Sequence, residues 1–140
     1  MLAVIRIRGT VGVRKELKDA FRMLNLEKMN RCVLVPDKPE LTGMVLKVKD
    51  FVTWGTISDD VLSELVRKRG RTEHDERLEE KKVKEAVGRI KEGKTRDVIK
   101  PYFRLSPPSK GFRGSVKQHY PRGAAGNRGD KINELLKRMM

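Results

Sequence analysis

This sequence has little that would build a disulfide-bonded, zinc-bound or membrane-spanning protein. Its 140 residues include one cysteine and two histidines. No intramolecular disulfide can therefore form, and a structural zinc site, which needs about four Cys or His ligands, is not expected. No apolar run approaches the roughly 20 residues that span a bilayer, and no signal peptide is visible. These absences favour a reducing, cytoplasmic compartment and predict neither a metal nor another cofactor.

Acidic and aromatic residues are also scarce. The chain has 33 Lys and Arg against 19 Asp and Glu, a net charge of +14, and only 5% aromatics. Residues 1–57 carry 11 basic and 6 acidic side chains, residues 58–93 carry 10 of each, and residues 94–140 carry 12 and 3. Each cation that neutralises a phosphate releases a condensed counterion, so this uneven charge favours a nucleic acid, RNA or DNA, as the partner.

The apolar pattern predicts a β-α-β-α-β arrangement over residues 1–57. The five predicted elements are, in order, 2–7 (strand), 13–24 (helix), 32–35 (strand), 39–48 (helix) and 51–56 (strand). Arg6 and Arg8 interrupt the first apolar run, and we expect both side chains to point outward. Trp54 is expected in a core or an interface. This order of elements predicts a small α+β domain, whose sheet has both helices on one face.

The remainder predicts helices joined to a basic loop. The predicted elements are a helix that follows Ser58, an amphipathic helix at about 79–92, a short strand at 102–105 and a C-terminal helix after Asp130. Residues 106–128 alternate Gly and Pro with basic side chains, so we expect an irregular loop anchored at both ends. The predicted organisation is a core at 1–57, a helical extension at 58–100, and a basic loop at 101–140 whose final helix packs back on the core.

Two basic groups are candidates for RNA contact. The loop 106–128 mixes cations with planar side chains, which suits phosphates and unpaired bases, although a cationic tail that serves only solubility would look the same. The first turn combines Gly with basic residues beside a helix N-terminus, as phosphate sites do, but a plain turn explains its glycines equally well. The candidates from the residues are Arg6, Arg8, Arg14 and Lys15 in the first group, Lys110, Arg113, Lys117, His119, Arg122 and Arg128 in the second, and Arg104 in the predicted strand.

Signals for catalysis are weak. The chain has no Walker loop, nucleophile elbow or HExxH helix. Asp75 and Glu79 are predicted to share a helix face, and a nuclease would need such carboxylates to hold a metal. They are interspersed with Lys and Arg, however, which favours a solvated helix surface.

Four stretches of the chain resemble one protein family. They are IRIRGTVGVR at 5–14, NRCVLVPDKPELTGMVLKV at 30–48, FRLSPPSKG at 103–111 and AGNRGDKINELLKRM at 125–139. The first two resemble the opening of the L-thirty family of large-subunit ribosomal proteins, which is called L-seven in eukaryotes. The last two resemble the extension that archaeal and eukaryotic members share. The lack of a long basic N-terminal arm favours the archaeal form.

The resemblance implies a ferredoxin-like sandwich of three antiparallel strands with two helices on one face, plus added helices, and a structural role on ribosomal RNA without catalysis. The RNA-facing residues that it implies are Arg8, Gly9, Thr10, Gly12, Arg14 and Lys15 in the first turn, Thr42, Gly43 and Lys47 in the second helix, and the loop residues Lys110, Arg113, Lys117, His119, Arg122 and Arg128. Many bacterial members have Arg where this chain has Thr42, so a phosphate contact of that helix is expected to be missing.

The sequence therefore predicts a structural component of the large ribosomal subunit in the cytoplasm. Its expected partners are ribosomal RNA and neighbouring ribosomal proteins, with no membrane and no small-molecule substrate. The basic loop is expected to be separable, so that residues 1–57 fold without it. Two alternatives stay open: a free RNA chaperone or regulator, and a small metal-dependent nuclease that uses Asp75 and Glu79.

Overall fold

A mixed six-stranded sheet runs through the centre of the computed structural model, which describes residues 1–93 and 99–140. Its strands are β1 (Leu2–Arg6), β2 (Arg31–Val35), β3 (Val52–Thr56), β4 (Phe103–Arg104), β5 (Ser115–His119) and β6 (Gly123–Asn127). Their spatial order is β4-β2-β1-β3-β6-β5. The pairs β1–β2, β1–β3 and β2–β4 are antiparallel, whereas β3–β6 and β5–β6 are parallel.

Helices cover both faces of this sheet. They are α1 (Lys15–Met23), α2 (Pro39–Lys47), α3 (Asp59–Arg69), α4 (Glu80–Lys91) and α5 (Ile132–Met139), the last preceded by a 3-10 turn at Gly129–Lys131. Val4 of β1 packs in a core with α1 and α2, while its neighbours Ala3 and Ile5 pack in a second core with α3, α4 and α5. Trp54 belongs to the first core, as predicted. The α+β class is confirmed, with α1 and α2 on one face.

The sheet has two more strands than predicted. The predicted strands correspond to β1, β2, β3 and, for the short strand at 102–105, β4, and the C-terminal part of the chain adds β6 and β5 beyond β3. The expectation of an irregular loop over 106–128 is wrong in its second half, because β6 is a sheet strand and Ala124 and Ala125 are fully buried. Its sequence Gly-Ala-Ala-Gly-Asn lacks the β-branched and aromatic residues that mark strands. The predicted helical extension includes residues 94–98, which lie outside the described part of the chain.

Strand β6 is joined to β3 by contacts that need small side chains. The Thr53 hydroxyl donates to the Gly126 carbonyl at 3.0 Å and accepts from Arg128 Nε at 3.0 Å. The Arg128 amide donates to the Trp54 carbonyl at 2.8 Å. A Cβ atom at Gly55 would overlap the carbonyl oxygen of Gly129. The C-terminal segment is thus part of the sheet, which argues against a loop that can be removed while the core stays intact.

The start of α3 is tied to α5 through one amide side chain. Ser58 lies at the N-cap position as predicted, but its hydroxyl makes no capping hydrogen bond. Its backbone amide donates instead to Asn133 Oδ1 at 3.0 Å, and Asn133 Nδ2 donates to the Thr56 carbonyl at 3.1 Å. The final helix therefore packs directly against the end of β3.

Arg6 is buried, contrary to the expectation that it points outward. It shares a sheet face with Val4, and α1 covers that face, so its guanidinium lies 3.9 Å from the Phe21 ring centroid. The side chain donates to the carbonyls of Arg8, Leu26 and Glu27 at 2.7–2.8 Å. Burial lowers the pKa of Arg6. This side chain is a structural crosslink between β1 and the segment that follows α1.

Two further features are a buried thiol and the limited length and apolarity of the helices. Cys32 is fully buried in β2, and burial raises the pKa of its thiol to about 12, so it stays protonated near neutral pH. Among residues 1–93 and 99–140, no helix is long and apolar enough to cross a membrane.

The close contact between β3 and the 3-10 turn predicts that alanine at Gly55 destabilises the protein. Alanine at Gly43, which lies outside this contact, is expected to stabilise it. We expect Gly55→Ala to lower the free energy of unfolding by about 3 kcal/mol, because the added Cβ must displace backbone. Gly43→Ala is the matched control: this helical glycine faces open space, so alanine should stabilise the protein by up to about 1 kcal/mol. Urea denaturation of both variants measures the difference, and similar small effects would contradict the close packing at Gly55.

The burial of Arg6 predicts a stability role. Arg6→Met keeps an unbranched side chain but leaves three carbonyls without their donor, so we expect a loss of about 3 kcal/mol in unfolding free energy. Arg14→Met, at an exposed position, should change stability by less than about 0.5 kcal/mol. Chemical denaturation compares the two, and equal stabilities would show that Arg6 is not a crosslink.

Candidate RNA interface

The connection between β1 and α1 is held at its base and exposed at its tip. The Arg8 amide donates to the Phe51 carbonyl, and the Arg8 guanidinium lies 4.8 Å from the Phe51 ring centroid. Beyond it, the tip residues are exposed, and Val11 is 99% exposed. Gly12 has a positive φ of 71°, which suits glycine. The connection therefore exposes the apolar Val11 at its tip, while Arg8 fixes its base against Phe51.

Asp50 brings this connection and the C-terminal segment together. It lies in the turn between α2 and β3, where its carbonyl accepts from Arg8 Nη1 at 3.2 Å. Its carboxylate lies 2.8 Å from His119 Nε2, in β5. Two groups of RNA-binding candidates that are far apart in sequence thus meet at one edge of the sheet.

Six exposed cations lie on the chain segments that adjoin Asp50, Arg8 and His119. We call them the basic edge; they are Arg14, Lys15, Lys47, Lys49, Lys117 and Arg122. Within residues 1–93 and 99–140, none of the six forms an ion pair with a carboxylate. Lys49 was not among the sequence candidates, because its position beside Asp50 becomes meaningful only once the chain is folded. The basic edge is therefore a group of cations whose charges are free of ion pairs in the described structure.

The candidates on α2 differ from one another in exposure. The Thr42 hydroxyl oxygen is buried and has no hydrogen-bond partner in the described structure, so it is not presented to a ligand. A Cβ atom at Gly43 would meet nothing within 4 Å, which leaves the helix backbone open there. Lys47 is exposed at the helix end and belongs to the basic edge.

The remaining loop candidates lie around α5. Lys110 is exposed and has a positive φ of 63°. Arg113 is exposed and pairs with Glu134 at 3.6 Å. Arg128 is half-buried, and it donates from Nε to the Thr53 hydroxyl and from Nη2 to the Ala124 carbonyl, each at 3.0 Å. Burial lowers the pKa of Arg128, so this side chain is fixed by the fold rather than free on the surface.

Arg104 belongs to a different surface from the other candidates. Strand β4 is the outer strand opposite β5, and Arg104 lies 3.5 Å from the Asp75 carboxylate. Together with Arg69 and Arg71 these residues line a cavity of about 290 Å³. A neighbouring cavity of about 510 Å³ adds further basic residues, namely Arg67, Lys68 and Arg77. Charge counting missed this cluster, because residues 58–93 carry equal numbers of acids and bases.

The carboxylates proposed for a nuclease do not share a helix face. Asp75 lies in a turn with φ 66°, and Glu79 is the residue that precedes α4. Lys100 donates to Asp75 at 2.7 Å, and this hydrogen bond lowers the pKa of Asp75. Glu79 lies 3.9 Å from Lys82. In the part of the chain that the structure describes, no three His, Cys, Asp or Glu side chains cluster as metal ligands.

Comparisons with known proteins identify the family of this chain. The family model described as ribosomal protein L30p/L7e matches residues 2–52. The chain is 46% identical to the large ribosomal subunit protein uL30 of Methanococcus maripaludis, with 99% of this chain and 98% of the relative covered. It is 42% identical to the uL30 of Archaeoglobus fulgidus, with 99% of both covered, and 40% identical to that of Methanosphaera stadtmanae, with 100% of both covered. The resemblance found in the sequence is thereby confirmed: the chain belongs to the uL30 (L30p/L7e) family of large-subunit ribosomal proteins.

Proposed function

We propose that this chain is a structural constituent of the large ribosomal subunit that binds folded ribosomal RNA through phosphate contacts and catalyses no reaction. Membership of the uL30 family supports the ribosomal role. The observation that carries the RNA-binding part is the basic edge, whose six cations have no carboxylate partner in the described structure. Phosphates of an RNA helix are the partner that such a surface fits.

The physical mechanism is electrostatic crosslinking by a rigid body. Each cation that meets a phosphate releases a counterion, so affinity rises with the number of contacts and falls with salt. Because Asp50 ties Arg8 and His119 to one turn, the chain segments that carry the cations are held in place before RNA arrives. Less conformational entropy is then lost on binding. The exposed Val11 adds an apolar contact at the centre of this charged region.

The proposal assigns different roles to the candidate residues. Arg6 and Arg128 position the surface from within the fold, and the Thr42 hydroxyl takes no part. Proposed phosphate or backbone contacts are Arg8, Gly9, Thr10, Gly12, Arg14, Lys15, Gly43, Lys47, Lys49, Lys110, Arg113, Lys117, His119 and Arg122. Arg104, on the opposite edge, would meet a separate part of the RNA. Neighbouring large-subunit proteins are the other proposed partners, at the ribosome.

A gradient experiment tests this function. Lysate is washed at stepwise increasing salt, and the protein is followed through a sucrose gradient. We expect the wild-type chain to migrate with the large subunit at about one copy, and the double variant Arg14→Gln, Lys15→Gln to leave it at a lower salt concentration, because two phosphate contacts are lost.

The matched control is Lys81→Gln, Lys84→Gln, which removes the same charge from the exposed face of α4 and should behave as wild type. Equal release of both double variants would contradict a role for the basic edge. Wild-type protein that stays at the top of the gradient at low salt would instead favour a free RNA chaperone.

A further inference from the structure

A concave basic site lies between α5 and the β5–β6 connection, which also carries Arg122 of the basic edge. The cavity has a volume of about 270 Å³. Its charged and aromatic lining consists of Arg113, Tyr120, Arg128, Lys131, Glu134 and Arg138. Four cations against one carboxylate leave an excess of positive charge inside a concave surface, where local fields are focused.

Two of these arginines are fixed in place without a carboxylate partner. Arg138 donates from Nε to the Ser109 carbonyl at 3.2 Å, and from Nη2 to the carbonyls of Ser109 and Gly111. Arg128 likewise donates from Nε and Nη2. In the described structure neither Nη1 atom donates to a protein group. Both guanidinium groups are therefore positioned and keep donors for an anion.

The charge of Arg128 is only partly compensated. Burial lowers its pKa and the nearby Arg138 acts in the same direction, whereas Tyr120 and Glu134 act in the opposite one. Among the described residues, the only ion pair at the cavity joins Arg113 to Glu134 at 3.6 Å, and both partners are exposed, so an incoming phosphate can displace it. An anion bound between these side chains would offset the desolvation of Arg128.

The cavity also offers an aromatic surface. The Arg128 guanidinium carbon lies 5.2 Å from the Tyr120 ring centroid, and the Tyr120 residue remains 36% exposed. Fixed cation and ring together resemble the arrangement on which unpaired bases stack. A paired RNA helix presents its bases inward and a convex backbone outward, so it can meet only the rim of a concave site.

We propose that this cavity binds one unpaired RNA nucleotide, whose phosphate contacts Lys131, Arg138 and Arg113 and whose base stacks on Tyr120. The inference rests on the proposed function and adds to it a site selective for unpaired nucleotides. Sequence reasoning named Arg113 and Arg128 as RNA candidates, and it missed Lys131 and Arg138 because they belong to the C-terminal helix and the turn before it.

Fluorescence anisotropy with the full-length protein tests the site. The probes are an RNA hairpin with a single-nucleotide bulge and the same hairpin fully paired. We expect Tyr120→Leu to weaken binding of the bulged hairpin by about tenfold and to leave the paired hairpin unchanged. Lys131→Gln, at an exposed position that should not affect folding, is expected to weaken the bulged hairpin about threefold. Lys84→Gln on α4 is the control with the same charge change.

The outcomes separate this site from the basic edge. If Tyr120→Leu and Lys131→Gln leave the preference for the bulged hairpin intact while wild type binds both hairpins, the site is overturned and the proposed function stands. If wild type binds neither hairpin, the proposed function fails as well. If free AMP at the same concentration as the bulged hairpin displaces that hairpin, the cavity is a mononucleotide site and the assignment to RNA is overturned.

Discussion

The parallel pairing of β3 with β6 is the contact on which the rest of the molecule depends. It requires a hydroxyl at Thr53, which accepts from Arg128 and donates to Gly126, and it requires glycine at position 55, where a Cβ would overlap Gly129. Small residues in β6 let the strand lie against β3 while the chain turns at once into α5. A strand with poor intrinsic propensity is stabilised here by tertiary contacts, which commonly override such propensities.

The consequences of this pairing reach both candidate RNA sites. With β6 in the sheet, β5 follows at its edge, and His119 comes within 2.8 Å of the Asp50 carboxylate beside the first loop. On the other side, α5 is held against β3 by Asn133, which places Arg138 and Lys131 near Tyr120. The proposed phosphate surface and the proposed nucleotide cavity are thus two sides of one ordered C-terminal segment.

Much of this fold is predictable from the sequence, and each wrong or missed prediction has a physical cause. The elements of residues 1–57 were predictable, because alternation and helical spacing reflect burial on one side of each element. Arg6 was misplaced because its neighbours Ile5 and Ile7 pack in the core with α3, α4 and α5, which turns Arg6 to the face that α1 covers. Strand β6 was missed because Gly and Ala carry no strand signal. The cluster around Arg69 and Arg104 was missed because net charge in sequence does not show how folding separates acids from bases.

If β6 pairs with β3 in the free protein, the C-terminal segment is ordered in the sheet before RNA binds. Backbone amide hydrogen exchange of the free protein tests it most directly, read by NMR at Tyr120 and Arg128, whose amides donate to Ala125 and Trp54 at 2.7 and 2.8 Å. We expect both amides to exchange about as slowly as that of Ile7, which donates to Phe51. Exchange as fast as at the exposed Val11, with Ile7 still protected, would contradict it and show that this segment becomes ordered only on RNA.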